Sequence, residues 1–140
     1  MSQAPITIDE LARRAAVRFS WADCQNHPKF EAMKEQARRS DMPAADYKGA
    51  PPQAVLAIIH SIHGLDTQAT FAERMAEIIR YETNNASVEG LRPDTLQRIS
   101  ATIALLCDDN GLGGMGLTTK GVFDTLTAER SQLMEEGKNP

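Results

Sequence analysis

Three histidines and a cysteine are the side chains of this sequence best suited to holding a metal ion. His60 and His63 are three residues apart on one predicted helix, and Cys24 and His27 show the same interval at the end of another. Zinc prefers thiolate and imidazole ligands, so two helix ends that meet would supply a four-ligand site. In the interpretation we favour, Cys24 packs in the core, His27 is exposed, and the histidine pair lies near the negative end of its helix. We therefore predict no cofactor, with zinc as the alternative.

Basic side chains are concentrated near the N-terminus. Residues 13–39 contain seven basic and three acidic residues, whereas residues 51–140 contain seven basic and twelve acidic residues. Arg14 and Arg18 are one helical turn apart, and with Arg38 and Arg39 they would form a cationic surface for a phosphate backbone. The competing interpretation is an ordinary solvated face of charged residues. Nucleic-acid binding is therefore kept as an alternative function.

A glycine-rich segment, residues 111–116, matches the letters GxGxxG of a phosphate-binding turn. In a dinucleotide-binding unit that turn follows a strand and precedes a second strand that carries an acidic residue. Here the preceding segment has a helical pattern, and only 24 residues follow Gly116. The glycines therefore indicate a turn between two helices rather than a nucleotide site.

Nucleophilic catalysis is not favoured by the remaining reactive side chains. Cys107 is next to Asp108 and Asp109, and acidic neighbours disfavour the thiolate that attacks substrates. Residues close in sequence also form no acid and base pair within an apolar stripe. We therefore predict a protein that is not an enzyme.

Length and composition predict one all-α domain covering residues 1–140. Leu, Ile, Val and Phe make up only 28 of the 140 residues, while the helix formers Ala and Met contribute 19 and six. No two segments alternate polar and apolar residues well enough to form a sheet. We expect a compact bundle or an orthogonal array of five to six helices.

The sequence shows neither a membrane span nor a secretion signal. No stretch approaches the roughly 18 uncharged apolar residues of a spanning helix, and the first five residues lack the basic and apolar regions of a leader. We therefore expect a cytoplasmic protein with no membrane partner. In that compartment Cys24 and Cys107 are expected to be separate thiols.

Apolar periodicity and terminal signals place the helices. The first begins at a capping box of Thr7 and Glu10 and ends near His27, before Pro28. Thr67 is predicted to cap the fourth helix, and Leu106 is assigned to the buried stripe of the fifth. The other predicted helices cover about residues 28–39, 54–62, 67–84, 93–107 and 118–136. A helix-turn-helix over residues 59–79 is excluded, because the helical stripe continues through Tyr81 with no turn to begin a recognition helix.

Two loops, at about residues 40–52 and 110–117, and a loose tail at residues 137–140 complete the prediction. A lean aliphatic core, helices with apolar positions on more than one face, and these loops favour a protein-binding module: a regulator, adaptor, chaperone or stoichiometric inhibitor. The candidate anchors are Trp21, Tyr47, Tyr81 and Met115. The excess of acidic residues over residues 51–140 favours a basic partner, including a nucleic-acid-binding protein. A small metal-binding or enzymatic helical domain is a further alternative.

Overall fold

The computed structural model describes residues 7–39, 53–83, 88–108 and 117–138. The expected loop at 40–52, most of the glycine loop and the last two residues lie outside these ranges, as do Tyr47 and Met115. The described residues form six α-helices and a short 3₁₀ turn and contain no strand, which confirms the all-α fold class. The helices are α1 (Ile8–Cys24), α2 (Phe30–Arg39), α3 (Gln53–His63), α4 (Leu65–Thr83), α5 (Pro93–Asp108) and α6 (Thr119–Lys138), and the 3₁₀ turn is Val88–Gly90.

Helix boundaries follow capping chemistry. The Thr7 hydroxyl accepts from the Glu10 N–H at 3.1 Å, as the predicted cap requires. Helix α2 begins two residues later than predicted, because the His27 carbonyl accepts from the Phe30 N–H at 3.0 Å and the backbone turns there. Helix α6 continues to Lys138, two residues beyond its predicted end.

The junction between α3 and α4 differs from the sequence prediction. Gly64 is the only residue between these helices, and its φ of +91° lies in the left-handed region that favours glycine. Its carbonyl accepts from the Gln68 N–H, so Gly64 caps α4. The prediction that Thr67 caps α4 is therefore wrong: Thr67 lies inside the first turn.

The main hydrophobic core lies between α1, α4, α5 and α6. Helix α1 packs against α4 and α6, and α5 packs against the same two helices from the other side, so α1 and α5 are diagonal in a four-helix arrangement. Helices α2 and α3 form a second core with the C-terminal half of α1. As predicted, α3 is largely apolar around its circumference, with Val55, Ile58 and Ile59 buried.

Ion pairs set the register between α1 and α6. The buried Arg14 contacts both oxygens of Glu136 at 2.6 Å, and Arg18 contacts the buried Glu129 at 3.3 Å. Because the residue number rises along α1 while it falls along α6, the two helices are antiparallel. Arg14 also donates to Glu10 at 3.0 Å. The sequence does not predict the burial of Arg14 and Glu129, because charged residues are rarely buried unless they are paired. Their interhelical partners lie on a distant part of the chain.

Replacing Arg14 with Met is expected to lower the free energy of unfolding by about 1–3 kcal/mol, because it removes charge-assisted bonds between helices. The loss stays below that of a fully buried pair, since Glu136 is half-exposed and can regain water. Urea denaturation measures the change. Arg13→Met is the matched control: Arg13 is exposed and pairs only within α1 among the contacts described, so its loss should cost less than about 0.5 kcal/mol. Equal losses in the two variants would contradict the assignment of Arg14 as the interhelical tie.

Candidate partner-binding surface

Helix α5 exposes apolar side chains in its C-terminal half. Leu105 is 74% exposed and Leu106 is 46% exposed, and Ala101 is exposed one turn before Leu105. The prediction that Leu106 belongs to the buried stripe is therefore wrong; Leu96, Ile99 and Ile103 form that stripe. Leu106 follows Ile103 by three residues and therefore lies on the same side of α5 as the stripe, but it is in the last turn of the helix and remains 46% exposed there. An exposed pair of adjacent leucines is unusual on a helix that has a complete buried stripe of its own.

Helix α4 adds an aromatic residue beside α5. Tyr81 is 84% exposed, and the next residue, Glu82, joins the two helices through Arg98 and Thr102 at 3.1 and 3.2 Å. Arg80, on the other side of Tyr81, pairs with Asp9 of α1. Because successive helical residues are about 100° apart, Tyr81 faces outward between the sides of α4 that contact α1 and α5.

We call Tyr81, Ala101, Leu105 and Leu106 the α4–α5 outer surface. Glu82 contacts both Arg98 and Thr102, so Tyr81 lies near the level of these residues and Leu105 lies about one turn further along α5. Apolar residues on the outer faces of two adjacent helices are suited to receive an apolar helix of another chain. The signal in the sequence was the absence of any charged residue between Arg98 and Asp108.

Trp21 does not belong to this surface. Its ring lies 5.2 Å from that of Phe30 in an edge-on arrangement, and both residues pack in the second core. This contact explains why an aromatic residue occurs here on α1: the Trp21 ring packs against Phe30 and so stabilises the position of α2 on the bundle. Of the four predicted anchors, Tyr81 is therefore the exposed one among those that the structure describes.

The proposed zinc ligands do not gather into a site. Among the described residues, which include Cys24, His27, His60 and His63, no three metal-binding side chains lie close enough to share an ion. Nδ1 of His27 instead accepts from the Lys29 N–H at 3.1 Å. Burial raises the pKa of the Cys24 thiol to about 12, with a further contribution from Asp23, so the thiolate that zinc needs is disfavoured.

The C-terminal residues of α3 and α1 are in contact through the side chains of His63 and Asp23. Nε2 of His63 lies 3.1 Å from Oδ2 of Asp23, and the His63 side chain is almost entirely buried. Desolvation lowers the pKa of His63 below its usual value, although the charge of Asp23 opposes the shift, and His27 lowers it further. At neutral pH His63 is therefore uncharged.

The four arginines of the nucleic-acid alternative do not form one free cationic surface. Arg14 and Arg18 pair with carboxylates of α6, and Arg14 is buried. Arg38 and Arg39 both contact Glu35 of their own helix, at 2.6 and 3.4 Å. The carboxylate neighbours reduce the positive potential that a phosphate backbone would meet.

No helix in the described part of the chain combines the length and the apolar character needed to cross a bilayer.

Replacing His63 with Gln is expected to reduce the dependence of stability on pH between about pH 7.5 and 5.5. Because the pKa of His63 is lower in the folded protein, the unfolded chain binds the proton first as the pH falls. Stability is thus complete above the unfolded pKa and is lost as the pH falls toward the folded pKa. Urea midpoints measured across this range should decline less in His63→Gln than in the natural protein. A steeper decline in His63→Gln would show that Asp23 stabilises a protonated His63 instead.

Comparison of the chain with protein families, curated proteins and solved structures gives no match, so its function is argued from the geometry of its own residues.

Proposed function

We propose that this protein is a non-catalytic binding module that docks another protein on the α4–α5 outer surface. The observation that carries the proposal is the exposure of Leu105 beside Leu106 on an uncharged half of α5. Exposed apolar residues that cluster, rather than occur singly, are typical of protein-interaction sites. Tyr81 supports the proposal, because tyrosine is enriched among the residues that contribute most to binding energy.

The preferred partner is an amphipathic helix with basic residues flanking its apolar face. Ala101 and Leu105 are one turn apart, and with Tyr81 on the neighbouring helix they present apolar side chains at the spacing of a helix, which suits a helical partner better than an extended strand. The surface itself is apolar, and Glu77 is an exposed acidic residue one turn before Tyr81, whereas Glu82 at the seam is already paired with Arg98. Complementary charges around an apolar contact increase the rate of association and favour a basic partner. A regulator or stoichiometric inhibitor acts by this kind of occupancy.

The test is capture from a lysate of the source cell with tagged protein, in the presence and absence of nuclease, followed by affinity measurement with the purified partner. Leu105→Glu is expected to weaken binding at least tenfold, about 1.4 kcal/mol, because it places a charge in the centre of an apolar contact. Leu65→Glu is the matched control. Leu65 is also an exposed leucine, at 62%, but it lies 16 residues before Tyr81 on α4, about 24 Å along the axis.

Equal binding by the natural protein and Leu105→Glu, or loss of binding in Leu65→Glu alone, would contradict the proposal. Capture that disappears with nuclease would favour the nucleic-acid alternative. Gel filtration of the purified protein tests whether a second copy of the chain occupies the surface. A dimer that Leu105→Glu converts to a monomer would assign the surface to self-association.

A further inference from the structure

A cleft of about 230 Å³ lies between the C-terminal turn of α1 and the start of α6, away from the α4–α5 outer surface. Its volume is below the roughly 300–1,000 Å³ of pockets for drug-sized ligands, so it fits a single group the size of a side chain. Its lining combines apolar and polar residues; those that matter here are Phe19, Leu117, Val122, Asp23, Asn26 and Thr118.

The floor of the cleft belongs to the main core. Phe19 and Val122 are buried, and Leu117 packs against the same cluster from the start of α6. Because these residues are held by interhelical packing, the apolar floor exists before any ligand arrives. An alkyl chain entering the cleft would therefore bury apolar surface at little cost in ordering the protein.

The rim of the cleft determines which charge it accepts. Among the described lining residues, Asp23 is the only one that carries a formal charge, and its side chain is partly exposed. Asn26 and Thr118 contribute neutral polar groups, and the Thr118 hydroxyl already accepts from the Gly121 N–H at 3.0 Å.

Neither the helix ends nor His63 cancels the charge of Asp23. The negative end of α1 and the positive end of α6 border the cleft together, so their partial charges offset each other. Burial keeps the adjacent His63 uncharged at neutral pH by lowering its pKa, so it does not neutralise the carboxylate. A cationic group is therefore the favoured occupant.

We propose that this cleft binds an aliphatic cation, an alkylammonium or guanidinium group, with the alkyl chain on Phe19 and Val122 and the charged end at Asp23. The same chemistry occurs in a free small amine and in a lysine or arginine side chain of a peptide. The site is independent of the α4–α5 outer surface.

The experiment titrates ¹⁵N-labelled protein with n-butylammonium and, separately, with N-acetyl-lysine amide, and follows the backbone amides of Asn26 and Gly121 by NMR. We expect saturable shifts with a dissociation constant on the order of 1 mM for a ligand of this size. Tighter binding of the lysine derivative would indicate a peptide side chain as the natural occupant, and tighter binding of butylammonium a free amine. Butanol and butyrate, which match the chain but lack the positive charge, should bind at least tenfold more weakly.

Two variants test the two halves of the cleft. Asp23→Asn should weaken amine binding at least tenfold, and Ala22→Leu should block it sterically, since Ala22 is an exposed lining residue whose replacement leaves the carboxylate and the core unchanged. Asp124→Asn is the control, because Asp124 is an exposed carboxylate on α6 that pairs with Lys120. If Asp23→Asn does not fold, as judged by its thermal transition, Ala22→Leu decides the question.

Three results would overturn the proposal. One is the absence of saturable shifts at about ten times the expected dissociation constant. Another is equal binding of butanol or butyrate, which would show that the carboxylate does not select a cation. The third is an equal loss of binding in Asp124→Asn and Asp23→Asn, which would show that binding responds to the net charge of the protein and not to the carboxylate of the cleft.

Discussion

Helix α1 packs against α3, α4 and α6, and the rest of the bundle depends on how closely these helices approach it. Ala12, Ala15 and Ala16 are completely buried on α1, and small side chains permit short distances between helix axes. A protein with so few large aliphatic residues can still form a dense core in this way, because the volume that side chains must fill is small. The alanine content noted in the sequence thus has a structural role beyond helix propensity.

Packing between alanine side chains does not fix how far one helix is shifted along another. Polar contacts between α1 and its neighbours set that register. Arg14 and Arg18 on α1 meet Glu136 and Glu129 on α6, and Ser20 bonds Gln68 of α4. A buried charge without its partner is costly, so alternative registers of α6 that separate Glu129 from Arg18 are disfavoured. A further contact joins α6 to the 3₁₀ turn ahead of α5: the Arg130 side chain donates to the Val88 backbone carbonyl at 2.9 Å.

The diagonal placement of α1 and α5 explains where the two candidate sites occur. Helix α1 has neighbours on three sides, whereas among the described helices α5 packs mainly on α4 and α6, which leave its opposite side uncovered. Leu105 on that side has no place in the core and is exposed, and Leu106 is half-exposed in the last turn of the helix. The cleft arises at the other pair of helices, where α1 ends beside the start of α6 and the polar groups of the helix ends surround a floor of core side chains. One surface is broad and apolar and the other small and charged, so they are suited to different ligands.

The sequence by itself determined that the chain is helical, where most helices begin and end, and which residues form their main buried stripes, because capping and periodicity are local properties. It also predicted that one helix continues through Tyr81, and α4 runs without a break from Leu65 to Thr83. Tertiary structure alone decided that Arg14 and Glu129 are buried, that Leu106 is exposed, that Trp21 packs against Phe30, and that Asp23 borders a cleft with α6. Each of these depends on residues far apart in the chain, since the burial of a side chain is set by the neighbouring helix that covers it. A periodic pattern shows that a helix has an apolar side but not how many other helices will cover that side.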